Sequence, residues 1–130
     1  MSTGTIIKQA GSTNGKGELG VENGLDLDAI AVLVRPDGAW ALAVYIRNHD
    51  NFTITGIPDS TYDLYFTLGE DWDSEQAKFT RRTRLSRFEE LFPFTTTATT
   101  YTVWSVTLHP VEGGGAETEA VPEDEFPDLK

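Results

Sequence analysis

Between residues 101 and 108 the side chains sort by parity. Tyr101, Val103, Ser105 and Thr107 hold one set of positions; Thr102, Trp104, Val106 and Leu108 hold the other. Successive residues of an extended chain point to opposite faces, so a period of two marks a strand. The second set is the expected core face. The same sorting recurs over residues 61–68, with Tyr62, Leu64 and Phe66 predicted inward and Asp63, Tyr65 and Thr67 outward. It recurs again in Glu18, Leu19, Gly20, Val21 and Glu22. No apolar stripe of helical period persists over three turns, so helix content is expected to be low.

Turn signals separate these segments. Asn23-Gly24 is one. Residues 29–34 are a continuous apolar run, short enough for a buried strand, and Arg35-Pro36-Asp37-Gly38 follows with the residue order of a type I turn. Residues 39–46 return, which predicts a hairpin. Phe52, Thr53 and Ile54 form a short strand of strong β formers. Residues 69–77 read as a polar loop and residues 79–85 as an exposed or edge strand. Residues 88–94 read as irregular, with one helical turn at 88–91, and the Thr-rich stretch 95–100 as extended. The expected organisation is a flexible lead-in over 1–16 with a short strand at 5–8, a β-sandwich domain over 17–111, and an acidic tail over 112–130. Gly113, Gly114 and Gly115 mark the end of the ordered fold. The expected fold is all-β: a seven- or eight-stranded antiparallel β-sandwich with little helix.

The stretch from Phe52 to Phe66 carries a strand end, the turn Gly56-Ile57-Pro58, then Thr61, Tyr62 and an alternating strand. It resembles a signature of prealbumin-like sandwiches, which include the carboxypeptidase regulatory-like and collagen-binding B-type domains. Many members carry Gly where this chain has Ser60. The resemblance extends more loosely over residues 19–46. Residues 17–28, 68–73 and 104–110 are similar to a group of uncharacterised bacterial domains that place such a sandwich at their C-terminus. The resemblance implies a prealbumin-like or Ig-like fold, often appended to another domain or anchor. It brings no catalytic residues.

The chain has 130 residues, enough for one domain with one real core. It has no cysteine, which excludes disulfides and thiolate chemistry. No signal peptide and no membrane-spanning run is visible. Either the protein is cytoplasmic, or it is extracellular and a leader or anchor has been removed. The formal net charge of −11 disfavours nucleic acid and anionic membranes, which need a positive field. Five of the ten basic residues, Lys78, Arg81, Arg82, Arg84 and Arg87, fall within residues 78–87. The last nineteen residues hold seven acids and one base.

Three features are candidate sites. The acidic run Glu70, Asp71, Trp72, Asp73, Ser74, Glu75 offers oxygen ligands of the kind Ca²⁺ takes, but lacks the glycine and final glutamate of a Ca²⁺ loop. Its acids are alternatively partners for the basic strip that follows. That strip suits an acidic protein surface, the chain's own tail included; on a strand Arg81 and Arg82 face opposite ways, which splits its charge. Among the aromatics Trp40, Tyr45, Tyr65, Trp72 and Trp104, periodicity places Trp104 in the core and leaves Trp72 and Tyr65 as exposed candidates for stacking on a glycan. His49 and His109 stand in no catalytic motif, and there is no Gly-x-Ser-x-Gly, phosphate loop or dinucleotide fingerprint. No metal site, cofactor or catalytic residue is predicted.

These features predict a non-catalytic accessory module that assembles with itself or binds a protein. Its tail would dock through Val121, Phe126 and Leu129, with Arg81, Arg82 and Arg84 as a second contact. The alternative is a carbohydrate- or Ca²⁺-dependent surface-binding domain built on Tyr65, Asp71, Trp72 and Asp73.

Overall fold

The computed structural model describes residues 1–108 and 118–130. The triple glycine and His109 lie outside the described residues. Among the described residues ten strands form two sheets: β1 (Ile6–Ala10), β2 (Gly17–Asn23), β3 (Asp28–Val34), β4 (Ala41–Ile46), β5 (Asp50–Ile57), β6 (Ser60–Asp73), β7 (Lys78–Phe88), β8 (Phe92–Phe94), β9 (Val103–Thr107) and β10 (Thr118–Ala120). The large sheet runs β1-β4-β3-β6-β7-β10, with β8 also paired to β6. The small sheet runs β5-β2-β9. One 3-10 turn, Glu123–Glu125, is the only helical element among the described residues. The fold is all-β, as the alternation predicts. The short strands β1, β8 and β10 raise the strand number above eight. Among the described residues one pairing is parallel, that of β9 with β2, the central strand of the small sheet.

The main core lies between the sheets. Leu19 and Val21 of β2, Ile54 and Ile57 of β5 and Val106 of β9 meet Ala29, Ala31 and Leu33 of β3 and Leu42, Val44 and Ile46 of β4. Tyr62, Leu64, Phe66 and Leu68 of β6 complete it, and all four are fully buried. Each such aliphatic or aromatic side chain contributes about 1.5–3 kcal/mol by leaving water. Trp104 is half-buried against this core and meets Phe92 edge-on at 5.2 Å. Its indole N–H donates to the Pro93 carbonyl at 2.9 Å.

The turns hold as their residues suggest. The Gly38 amide donates to the Arg35 carbonyl at 2.8 Å, and Gly38 takes φ +76°, open to glycine without strain. The Asn23 side chain is fully buried; its amide donates to the carbonyls of Leu27, Ile46 and Arg47 at 2.8, 3.3 and 3.2 Å. It thereby fastens the β2–β3 turn to the end of β4.

Three segments differ from expectation. Residues 69–73, expected in a loop, continue β6, so β6 and β7 form one long hairpin closed by residues 74–77. The register slips between Leu68 and Glu70, opposite Arg82 at φ 53°, and Asp71, the next residue along β6, takes φ 56°. This bulge re-aims the arm: Leu68 faces the main core, whereas Trp72, four residues on, packs on the opposite face. The helical turn expected at 88–91 is absent. Phe88 ends β7, and β8 resumes pairing with β6, burying Phe88, Phe92 and Phe94. The strand expected at 5–8 runs from Ile6 to Ala10, paired to β4.

Candidate functional site

The large sheet carries apolar side chains on both faces. Inner positions of β3 and β4 fill the main core; the alternate positions, Ile30, Val32, Ala43 and Tyr45, build a second cluster on the outer face with Phe79. Trp72 meets Phe79 edge-on at 5.2 Å and Tyr45 at 6.4 Å. Trp72 and Tyr65, expected to be exposed, are therefore half-buried parts of this cluster. Tyr65 reaches this face by ordinary alternation, opposite Val32 of β3, and Trp72 reaches it because the bulge turns the end of the β6–β7 arm over the outer face.

The C-terminal segment covers the cluster. β10 pairs antiparallel with the end of β7, Thr118 opposite Phe88, Glu119 opposite Arg87 and Ala120 opposite Ser86. The half-buried Val121 adds one further bond, its amide donating to the Leu85 carbonyl at 3.0 Å. Pro122 has no N–H, and the 3-10 turn then carries the chain across the sheet. Phe126 meets Tyr65 edge-on at 5.7 Å, and Leu129 is 7 % exposed. Of the three apolar residues expected to dock on a neighbouring copy, Phe126 and Leu129 pack on the chain's own sheet, and Val121 is tied to it through its backbone amide.

Cations line this path. Arg87 is ion-paired to Glu119, its direct cross-strand neighbour. Hydrogen bonds from Arg87, first to Glu119 and then to Tyr65, hold its guanidinium still more firmly charged. Lys78 lies 3.8 Å from Glu123, and the Lys8 ammonium donates to the Asp128 carbonyl at 2.7 Å. The tail leaves space on either side. A groove of about 600 Å³ opens between it and β7, lined by Thr80, Thr83, Leu85, Glu123 and Phe126 among others. A smaller depression of about 200 Å³ lies toward β1, beside Lys8, Val32, Ala43 and Pro127.

The acidic run serves the hairpin itself. Asp71 pairs with Arg81 at 3.1 Å and Glu70 with Arg82 at 3.2 Å; Glu70 is half-buried and the other three side chains are exposed. Asp73 closes the turn: its Oδ1 accepts from the amides of Gln76 and Glu75 at 3.2 and 2.9 Å. Those two bonds hold its carboxyl below the usual carboxylate range. Among the described residues no three or more His, Asp or Glu side chains converge to hold a metal ion. Arg84 is exposed and has no ionic partner among the described residues. His49 contacts Asp26 at 2.6 Å on an open surface turn, and no hydroxyl bonds to it among the described residues. Trp40 is buried, its N–H donating to the Ser12 carbonyl at 2.7 Å.

The parts sequence reasoning missed are Lys8, Phe79 and Glu119. A signal for the outer cluster existed: the unbroken apolar run of β3 is what a strand buried on both faces looks like. Among the described residues no helix is long and apolar enough to cross a membrane. No protein-family model matches the chain, and no curated protein or solved structure matches it.

Proposed function

We propose that the chain is a non-catalytic interaction module and that the outer face of its large sheet mediates self-assembly or protein binding. The observation that carries this reading is the tail itself. An acidic segment with spaced apolar residues lies on that face as a short added strand with two anchors. Strand addition and side-chain anchoring are the two ingredients by which sheets recognise extended peptides. The prealbumin-like resemblance agrees with such a role and adds no chemistry to it.

The test is sedimentation equilibrium of the full chain and of its Phe126→Ala/Leu129→Ala variant over a wide concentration range. A mass that changes with concentration, and differs between the two, supports self-assembly through the tail. Monomers throughout would remove that arm and leave binding of a different protein. The glycan and Ca²⁺ reading has less support, since Trp72 and Tyr65 are engaged in packing and Asp73 in the turn.

A further inference from the structure

We infer that the outer face is a receptor for an extended acidic segment of another protein, with an aromatic anchor followed three residues later by an aliphatic one, and that residues 118–130 are its resident competitor. This rests on the interaction reading above and supplies the chemistry of the partner.

Charge complementarity carries it. In a chain of net charge −11 with only ten basic residues, Arg87 and Lys78 pair with the tail acids Glu119 and Glu123, and Lys8 donates to the backbone carbonyl of Asp128. The anchors add sequence preference: Phe126 stands on Tyr65 and Leu129 enters the outer cluster. The strand pairing adds affinity that does not depend on sequence. The resident tail uses the face incompletely. The β10 register, continued two residues, places Val121 opposite Leu85 and Pro122 opposite Arg84. Because the Val121 amide donates to the Leu85 carbonyl, position 122 falls at a non-hydrogen-bonded pair, where the proline loses no ladder bond but offers Arg84 no acid. A partner with an acid in place of that proline would give Arg84 a cross-strand mate. The groove beside the tail leaves room on that side.

The test uses the full chain, undocked by Phe126→Ala/Leu129→Ala, and a fluorescent synthetic peptide of residues 118–130. A covalently attached tail competes at an effective concentration on the order of millimolar. The peptide is therefore expected to bind the undocked chain at least about tenfold tighter than the unaltered chain. A peptide carrying Pro122→Glu is expected to bind about threefold tighter again, a gain lost in the chain variant Arg84→Ala. A peptide with Glu119→Lys and Glu123→Lys is expected to lose most of its affinity. Should the double variant not melt cooperatively, the chain variant Glu119→Lys/Glu123→Lys undocks the tail through charge alone and takes its place. Absence of binding to a folded, undocked chain at millimolar peptide would overturn the inference, as would affinity indifferent to charge reversal. If the chain self-assembles in sedimentation and yet ignores the peptide, only the partner chemistry is wrong. If it is monomeric and also ignores the peptide, the interaction reading falls with it.

Discussion

The ring of Phe126 meets the ring of Tyr65 edge-on, with centroids 5.7 Å apart and planes at 77°. Glu119, Arg87 and Tyr65 stand in one row across β10, β7 and β6, so this contact and the Glu119 ion pair hold the tail at two points of one line. Phe126→Ala removes an aromatic pair worth about 0.5–1.5 kcal/mol and some apolar burial. The expected loss of stability is about 1–2 kcal/mol. Amide exchange at Glu119 and Val121 should accelerate far more than exchange in β3, and hydrogen-exchange mass spectrometry reads both.

Asn23 predicts a larger effect from a smaller side chain. Asn23→Ala would strand the carbonyls of Leu27, Ile46 and Arg47 around a buried gap. A buried polar group left without its partner costs about 1–3 kcal/mol. Denaturant unfolding should place Asn23→Ala in the upper part of that range. Asn23→Asp should be worse at neutral pH, because a carboxylate would face three carbonyl oxygens.

Gly69 sits where the hairpin bulges. A Cβ there would lie 2.5 Å from the Phe79 Cβ and 3.0 Å from the Arg81 carbonyl oxygen. Neither neighbour can swing away, since Phe79 is buried beneath Trp72. Overpacking of this kind costs about 1–3 kcal/mol. Gly69→Ala should lower the melting temperature and blue-shift or broaden the fluorescence of Trp72, whereas Gly24→Ala, which meets open space, should shift neither by much.

Two partners titrate in opposite directions. Burial alone would raise the Asp28 carboxyl, but bonds from the Tyr45 hydroxyl at 2.5 Å and from Asn48 outweigh it and hold it below its ordinary value. Its stabilisation is present above the unfolded carboxylate value of about 4 and is lost as pH falls through the lower folded value. Burial, then the Asp28 contact, pushes the Tyr45 phenol up. Its stabilisation is present below the unfolded tyrosine value of about 10 and is lost as pH rises through the higher folded value. Tyr45→Phe should therefore flatten the alkaline limb of a stability–pH curve. It should also move the Asp28 carboxyl resonance to titrate at higher pH in ¹³C NMR.

The exposed ion pairs of the hairpin predict little. Arg81→Ala breaks a pair whose two side chains are 65 % and 59 % exposed. Pairs of that kind contribute about 0–1 kcal/mol. Thermal unfolding in low and high salt should separate the variant from the parent by no more than a few degrees. A larger drop would mean that the bulge depends on this arginine.

Much of the fold could be read from local pattern. The hairpin of β3 and β4, the inner face of β6 and the core face of β9 all follow from alternation and turn residues close in sequence. The β6–β7 arm was hidden because its charged residues pair with one another across strands, and a run of acids looks the same in a loop as on an exposed ladder. Phe88, Phe92 and Phe94 looked irregular because residues 89–91 interrupt the strand between them. The placement of Trp72 and Tyr65 depended on a bulge and on a tail that arrives from the far end of the chain. No short window contains both partners of such a contact.

The parallel pairing that sets Leu19 beside Trp104 has a consequence for biosynthesis. As the polypeptide leaves the ribosome, β2 and β5 can meet early, but the third strand of their sheet is not yet made. Until β9 emerges, one edge of β2 remains without its mate and part of the interior is open. The nascent domain therefore closes late, and a chaperone or a neighbouring chain has its opportunity before then.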